Sequence, residues 1–84
     1  MSVPVTVYSA PGCHLCEQAK AVIAAVGRTA DLELVEIDIS ADAELERRYR
    51  ELIPVVFVDG HRAFTYRVDP EALRRRVEAA TSRG

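Results

Sequence analysis

Residues 3–16 have the sequence VPVTVYSAPGCHLC, which joins an alternating apolar segment to the only two cysteines in the chain. Val3, Val5 and Val7 occupy every second position, which predicts a β-strand over residues 3–8, and the Pro-Gly pair after it predicts a turn. Cys13 then opens an amphipathic segment. A C-x-x-C placed between a strand and a helix is typical of a thiol/disulfide redox motif.

The segment after the cysteines has helical periodicity. Its apolar residues recur three and four positions apart, and Gly27 supplies a C-terminal stop, so a first helix is predicted over residues 13–26. The apolar residues that follow predict a second strand over residues 32–39.

A second helix is predicted over residues 41–50. Ser40 stands immediately before it, and a serine at that position is a favoured N-cap because its hydroxyl can accept a hydrogen bond from a free backbone N–H group. Leu45, Tyr49 and Leu52 share one side of this segment. We expect those three side chains to face the core.

The last third of the chain predicts a hairpin and a helix. Two apolar segments, residues 55–58 and 61–65, flank Asp59-Gly60, which is a strong hairpin signal. Asp69 is followed by a proline and a glutamate, which is the expected order of an N-cap and a first helical turn. The third helix therefore starts there.

The order of elements is β-α-β-α-β-β-α. The first two strands should be parallel because a helix joins them, and the last two should be antiparallel because a tight turn joins them. This order predicts an α/β layer fold with a small mixed sheet. With 84 residues and 49% hydrophobic content, the chain is expected to form one domain over residues 1–84.

Composition narrows the classes of partner. The formal net charge of −2 is unsuited to a nucleic-acid-binding face, which needs excess positive charge. No segment approaches the roughly 20 apolar residues of a membrane span, and the N-terminus lacks the features of a secretory signal. We therefore expect a cytoplasmic protein that binds neither nucleic acid nor membrane.

The two cysteines are better explained by a redox reaction than by a disulfide that stabilises the fold. A disulfide across two intervening residues closes too small a loop to constrain the unfolded chain strongly. Cys13 would lie at a helix N-terminus, where free N–H groups and the helix dipole favour the thiolate and lower its pKa. Cys16, three residues later, would lie within bonding reach. His14 either adds positive charge beside Cys13 or is simply a solvated residue of the first turn.

Two motifs together resemble one superfamily. Residues 7–16, which end in Gly-Cys-His-Leu-Cys, and Ile53-Pro54-Val55 ahead of the predicted hairpin are similar to the corresponding motifs of thioredoxin-like proteins. The chain looks most like the small bacterial glutaredoxin-like proteins. The resemblance implies a thioredoxin-like fold of the glutaredoxin type, with a four-stranded mixed sheet.

The resemblance also implies a dithiol/disulfide oxidoreductase. Cys13 would be the nucleophile and Cys16 the resolving thiol. Ile53-Pro54 would form a cis-proline loop whose backbone pairs with an extended substrate, whereas a strand-initiating trans proline is the structural alternative. The residues expected to contact substrate are Gly12, His14, Leu15, Ile53, Pro54 and Arg67.

The implied substrates are disulfide-bearing proteins or small-molecule thiols. Glutathione or a thioredoxin-type reductase would be the electron donor, the protein would act as a monomer, and no resident cofactor or metal is implied. Three features of glutathione-using members are absent here, however. Their lysine before the motif is replaced by Ser9, their aromatic residue within it by His14-Leu15, and their Gly-Gly pair by Tyr66-Arg67. Arg67 could instead pair with a ligand carboxylate.

Three alternatives remain at the sequence level. Cys13, His14, Cys16 and His61 could nominally bind zinc. Cys13 could share an iron–sulfur cluster with the thiol of a second molecule. The chain could also be a redox-inactive interaction module that keeps the fold alone.

Overall fold

The computed structural model describes residues 2–83. Within these residues four strands and three α-helices follow one another in the predicted order, and one short 3₁₀ turn, which was not predicted, precedes the second helix. They are β1 (Val3–Ser9), α1 (His14–Val26), β2 (Leu32–Asp38), the 3₁₀ turn (Ile39–Ala41), α2 (Ala43–Tyr49), β3 (Val55–Val58), β4 (His61–Thr65) and α3 (Pro70–Arg83).

The four strands form one mixed sheet in the order β2-β1-β3-β4. β1 and β2 are parallel, with Val3 opposite Leu32. β1 and β3 are antiparallel, with Val7 opposite Val56. β3 and β4 are also antiparallel, which confirms the predicted hairpin. The sheet therefore has β1 and β3 at its centre and β2 and β4 at its edges.

A first core cluster lies on the face of the sheet that α1 and α3 cover. Successive side chains of a strand point to opposite faces, and the valines at alternate positions of β1 are all buried on this face. They pack against Ile23 of α1 and Leu73 of α3, both fully buried. The apolar sides of the two helices thus pack on the side of β1 that its alternating valines occupy.

A second core cluster lies on the opposite face, beneath α2. Its buried residues are Ile39, Tyr49 and Val55, and Leu45 and Leu52 pack against them as predicted. Aromatic rings fill much of this cluster. The ring of Tyr8 stacks on that of Tyr49 at 4.7 Å between centroids and meets the ring of Phe57 edge-on at 5.6 Å.

The start of α2 corrects the sequence prediction. Asp42, and not Ser40, is the N-cap, and its Oδ1 accepts hydrogen bonds from the N–H groups of Glu44 (2.8 Å) and Leu45 (3.2 Å). Ser40 lies in the 3₁₀ turn, where its N–H and its hydroxyl both donate to Asp38. The extra turn shortens the strand and delays the helix by two residues.

None of the helices within residues 2–83 combines the length and the apolar character that a membrane crossing requires.

Candidate active site

The loop between β1 and α1 places the first cysteine. Gly12 has φ of +79°, a left-handed conformation, and a Cβ built there would meet no atom within 4 Å, so it is the backbone angle that favours glycine. The N–H group of Cys13 donates to the carbonyl oxygen of Ala10 at 3.3 Å and closes the turn. The chain then enters α1 at His14.

Cys13 is the N-cap residue of α1. Its backbone is extended, at φ −89° and ψ 107°, and its Sγ accepts a hydrogen bond from the N–H group of Cys16 at 3.2 Å. Unpaired N–H groups at a helix N-terminus stabilise negative charge. The same position that caps the helix is therefore suited to a thiolate.

The two sulfur atoms lie within disulfide-bonding distance, and the Cα atoms of Cys13 and Cys16 are 5.2 Å apart. This separation is within the usual range for a disulfide. The two cysteines differ in access to solvent, because Cys13 is half-buried and Cys16 is only 1% exposed. An incoming sulfur atom can therefore reach Cys13 more readily than Cys16.

Gly12 and His14 flank Cys13 at the surface, and both are exposed. The imidazole of His14 forms no hydrogen bond or ion pair with any residue in the described part of the chain. Its influence on Cys13 stays a prediction.

The Ile53-Pro54 peptide bond is cis, as the resemblance implied. Pro54 is buried, and its carbonyl oxygen accepts a hydrogen bond from the N–H group of Tyr66 at 2.9 Å. Ile53 packs against the second core cluster, as does Ala10 of the loop that ends at Cys13. Within residues 2–83 neither backbone polar group of Ile53 has a hydrogen-bond partner. The free backbone edge predicted for substrate pairing is thus present.

A small groove runs along α1 from Leu15, and we call it the α1 groove. One wall comes from α1 and the other from the connection between β4 and α3, and the groove encloses about 150 Å³. Its lining residues are Leu15, Gln18, Ala19, Val22, Tyr66, Arg67 and Val68. Of the predicted contact residues, the structure brings Leu15 and Arg67 together here, whereas Gly12, His14, Ile53 and Pro54 lie outside it.

The remaining α1 residues of the groove were missed from sequence. Gln18, Ala19 and Val22 follow Leu15 at offsets of three, four and seven residues, which is the spacing of one helix face. That spacing was a usable signal. Residues 66–68, which form the opposite wall, have no comparable sequence signal, because their position depends on the direction in which the chain leaves β4.

A polar network near the end of β1 was also missed. The hydroxyl of Ser9, which is 3% exposed, donates to Oε2 of Glu36 at 3.0 Å. The same oxygen accepts from Lys20 Nζ at 2.7 Å, and Lys20 also pairs with Glu17 at 2.8 Å. The hydrogen bonds from Lys20 and then Ser9 hold the pKa of Glu36 below its usual value, while Glu17 and Glu36 raise the pKa of Lys20.

The four residues that could nominally bind zinc are not brought together in the part of the chain that the structure describes. No group of three or more His, Cys, Asp or Glu side chains there is placed to hold a metal ion. His61 begins β4 and lines a separate cavity with Val58, Arg76 and Ala79. The four nominal ligands are therefore not assembled.

The four-stranded mixed sheet between two helical layers, with a cysteine pair at the start of α1 and a cis-proline before β3, defines a thioredoxin-like protein. Within that class, the chain belongs to the family described as Glutaredoxin-like domain (DUF836), which it matches over residues 4–78.

Solved structures support the same assignment. Protein Ne2328 from Nitrosomonas europaea is 26% identical, with 92% of this chain and 93% of that one covered and a TM-score of 0.79. Protein XcR50 from X. campestris is 31% identical, with 89% and 96% covered and a TM-score of 0.72. A thioredoxin mutant from Halobacterium salinarum is 23% identical, with 93% and 74% covered and a TM-score of 0.65, and shares the fold. Among curated protein sequences none matches.

Proposed function

We propose that the protein is a dithiol/disulfide oxidoreductase whose Cys13–Cys16 pair alternates between dithiol and disulfide by exchange with protein or small-molecule thiols and disulfides. The observation that carries the proposal is the asymmetry of the pair. Cys13 is accessible and caps a helix N-terminus, and Cys16 is buried within bonding distance behind it. Thiol–disulfide exchange needs an accessible thiolate to attack and a sheltered second thiol to complete the reaction.

The reaction has two steps. In the reduced protein, the Cys13 thiolate attacks one sulfur of the substrate disulfide, the substrate S–S bond breaks, and the other sulfur leaves as a thiolate that takes a proton. Cys16 then loses its proton and attacks the Cys13 sulfur. The second substrate thiol leaves, and two electrons have passed from the cysteine pair to the substrate.

Substrate and donor are part of the proposal. The free backbone of Ile53 can add an extended substrate segment as a short extra strand beside Cys13. The electron donor that restores the dithiol is glutathione or a thioredoxin-type reductase. Tyr66-Arg67 places two side chains beside the site, which disfavours glutathione as the principal substrate.

The test is equilibration of the protein in a graded series of reduced and oxidised glutathione, followed by alkylation of free thiols and mass measurement. We expect one two-electron transition between dithiol and disulfide. Cys16→Ala should instead accumulate a glutathione mixed disulfide at Cys13, whereas Cys13→Ser should accumulate much less of one. A folded, reduced protein whose thiols fail to react with an aromatic disulfide dye would refute the proposal and favour a redox-inactive module.

The class of electron donor is tested by a turnover assay. Turnover of an insulin-type protein disulfide is measured with glutathione, glutathione reductase and NADPH, and then with a thioredoxin reductase and NADPH. We expect one of the two to support repeated turnover. Failure with both would contradict the proposed donors.

A further inference from the structure

Tyr66 has a backbone conformation that a large side chain seldom adopts. Its φ is +67°, in the left-handed region, and the residue is 45% exposed. Such residues persist when their surroundings hold them, and they cluster at ligand-binding sites. Here two hydrogen bonds hold it, from its N–H to Pro54 (2.9 Å) and from its hydroxyl to the carbonyl oxygen of Glu51 (2.8 Å). One wall of the α1 groove is thereby fixed in place.

The size of the α1 groove limits what it can hold. Sites for small molecules usually enclose roughly 300–1,000 Å³, and this groove encloses about 150 Å³. It has room for one side chain of a larger ligand. Leu15, Ala19 and Val22 give the α1 wall an apolar surface, which Gln18 interrupts with one polar side chain.

Arg67 is the one charged residue among those that line the groove. Its guanidinium forms no hydrogen bond or ion pair with any residue that the structure describes. The nearest acid in sequence, Asp69, accepts from the N–H group of Ala72 as the cap of α3. Arg67 is exposed and can therefore take a carboxylate from outside the protein.

The groove also lies within reach of a substrate segment that is attached to the reacting sulfur of Cys13. Leu15 stands between the two cysteines, and Val22 is seven residues further along α1, which is about 10 Å at 1.5 Å per residue. An extended chain covers that length in about three residues. A substrate segment attached through its cysteine to Cys13 can thus place a neighbouring side chain in the groove.

We propose that the α1 groove selects disulfide-bearing protein segments that carry an apolar and an acidic residue within about three residues of the reacting cysteine. This inference rests on the proposed exchange reaction. The apolar side chain packs against Leu15, Ala19 and Val22. The acidic side chain pairs with Arg67. Arg67 is the residue that determines specificity, and Tyr66 holds in place the wall of the groove to which Arg67 belongs.

The test uses three synthetic peptides that differ only at the third position after their single cysteine, which is Glu, Gln or Lys. Leucine stands at the first position after the cysteine, so that both side chains lie on the same face of an extended segment. Each cysteine is joined to thionitrobenzoate. Attack by Cys13 on the peptide sulfur breaks that bond and releases coloured thionitrobenzoate, and Cys16 then releases the peptide thiol. The measured quantity is the second-order rate constant for colour release by the reduced protein.

We expect the Glu peptide to react about 1.5- to fivefold faster than the Gln peptide, which is the range of one solvent-exposed ion pair, and the Lys peptide to react slowest. Arg67→Gln should remove the difference, and Arg67→Glu should make the Lys peptide the fastest. Replacing the leucine with alanine should slow all three. Arg75→Gln, an exposed arginine of α3 outside the groove, is the matched control and should keep the wild-type order.

Equal rates for the three peptides would overturn this inference and leave the proposed exchange reaction standing. So would an equal loss of preference in Arg67→Gln and Arg75→Gln, which would indicate general charge attraction. If the mixed disulfide of glutathione and thionitrobenzoate reacts as fast as the Glu peptide and depends equally on Arg67, the groove binds a small thiol and no protein segment. No reaction with any peptide or with the aromatic dye would instead refute the exchange reaction itself.

Discussion

At the residue scale, the hydroxyl of Tyr66 connects the segment that follows β4 to the segment that precedes β3. It donates to the carbonyl oxygen of Glu51 at 2.8 Å, so Tyr66→Phe removes one hydrogen bond and leaves the ring in place. We expect the free energy of unfolding to fall by about 0.5–1 kcal/mol, the net value of such a bond when water can replace it. Urea denaturation monitored by circular dichroism measures the change.

Tyr8→Phe is the matched control for that substitution. The ring of Tyr8 packs in the second core cluster, but its hydroxyl has no hydrogen-bond partner among residues 2–83. Its removal should therefore cost less than the removal of the Tyr66 hydroxyl. Losses of equal size in the two variants would show that the bond to Glu51 contributes nothing.

The two cysteines and Tyr66 differ in how far sequence could predict them. Cys13 and Cys16 are positioned by local signals, since the turn before them and the helix after them are both evident in the pattern of residues. The conformation of Tyr66 has no local signal, because a tyrosine is a poor candidate for positive φ. Its partners, Glu51 and Pro54, become its neighbours only when β3 and β4 pair.

At the scale of elements, Asp42 determines where α2 begins. Its carboxylate accepts from two free N–H groups of a seven-residue helix. Asp42→Ala should lower the free energy of unfolding by about 1 kcal/mol, the usual cost of losing an N-cap. Ser40→Ala removes only an exposed bond to Asp38 and should cost less. Thermal unfolding of both variants ranks them, and a greater loss for Ser40→Ala would contradict the observed start of the helix.

The sequence predicted that helix, but the predicted start at residue 41 lies two residues before the observed start at Ala43. Ser40 and Asp42 are both favoured N-cap residues and stand two positions apart. The choice between them depends on the 3₁₀ turn, which buries Ile39 in the second core cluster. By contrast, the turn at Asp59-Gly60 was predictable, because both residues adopt the positive φ (52° and 82°) that a tight hairpin requires.

Glu36 links three elements, because it accepts from Ser9 of β1 and Lys20 of α1 while lying on β2. These bonds lower its pKa from the ordinary 4.5. A carboxyl whose pKa is lower in the folded state stabilises the fold above its unfolded pKa, and that stabilisation is lost as pH falls through the folded value. Glu36→Gln should therefore be less stable than wild type at neutral pH, and the gap should narrow below about pH 4.5.

Unfolding free energies measured across this pH range test the effect. Glu33→Gln is the control, since Glu33 is exposed on the same strand and has no ion pair within residues 2–83. Its difference from wild type gives the baseline for removing one exposed carboxylate from this strand. A gap for Glu36→Gln that is constant or widens on acidification would show that the network does not couple folding to protonation.

At the scale of the whole molecule, the arrangement of the sheet was only partly predictable. The parallel β1–β2 pair and the β3–β4 hairpin follow from the elements that connect them. The antiparallel pairing of β1 with β3 joins strands about fifty residues apart and has no connecting element to indicate it. This pairing brings the cis-proline and the wall of the α1 groove to the cysteines. The position of the cysteines was therefore predictable from sequence, but the arrangement of the other site residues around them was not.

The fold should survive reduction of the disulfide, which the proposed reaction cycle requires. The bond closes a loop of only residues 13–16, and the entropic gain from so small a loop is about 2 kcal/mol at most. Both core clusters are built from the sheet and the helices around it, and Cys16 remains a small buried side chain in either state. We therefore expect oxidised and reduced protein to have the same far-ultraviolet circular dichroism and unfolding free energies within that difference.

Urea denaturation with and without reductant gives the comparison, and Cys13→Ser/Cys16→Ala, which has no thiol to oxidise, should be insensitive to the reductant. The hydrogen bond from the Cys16 N–H group to the Cys13 sulfur can form in either redox state, so the start of α1 keeps its cap when the disulfide opens. Unfolding of the wild type on reduction would mean that the disulfide maintains the fold. A protein that loses its structure each time its disulfide is reduced could not present the Cys13 thiolate to a substrate.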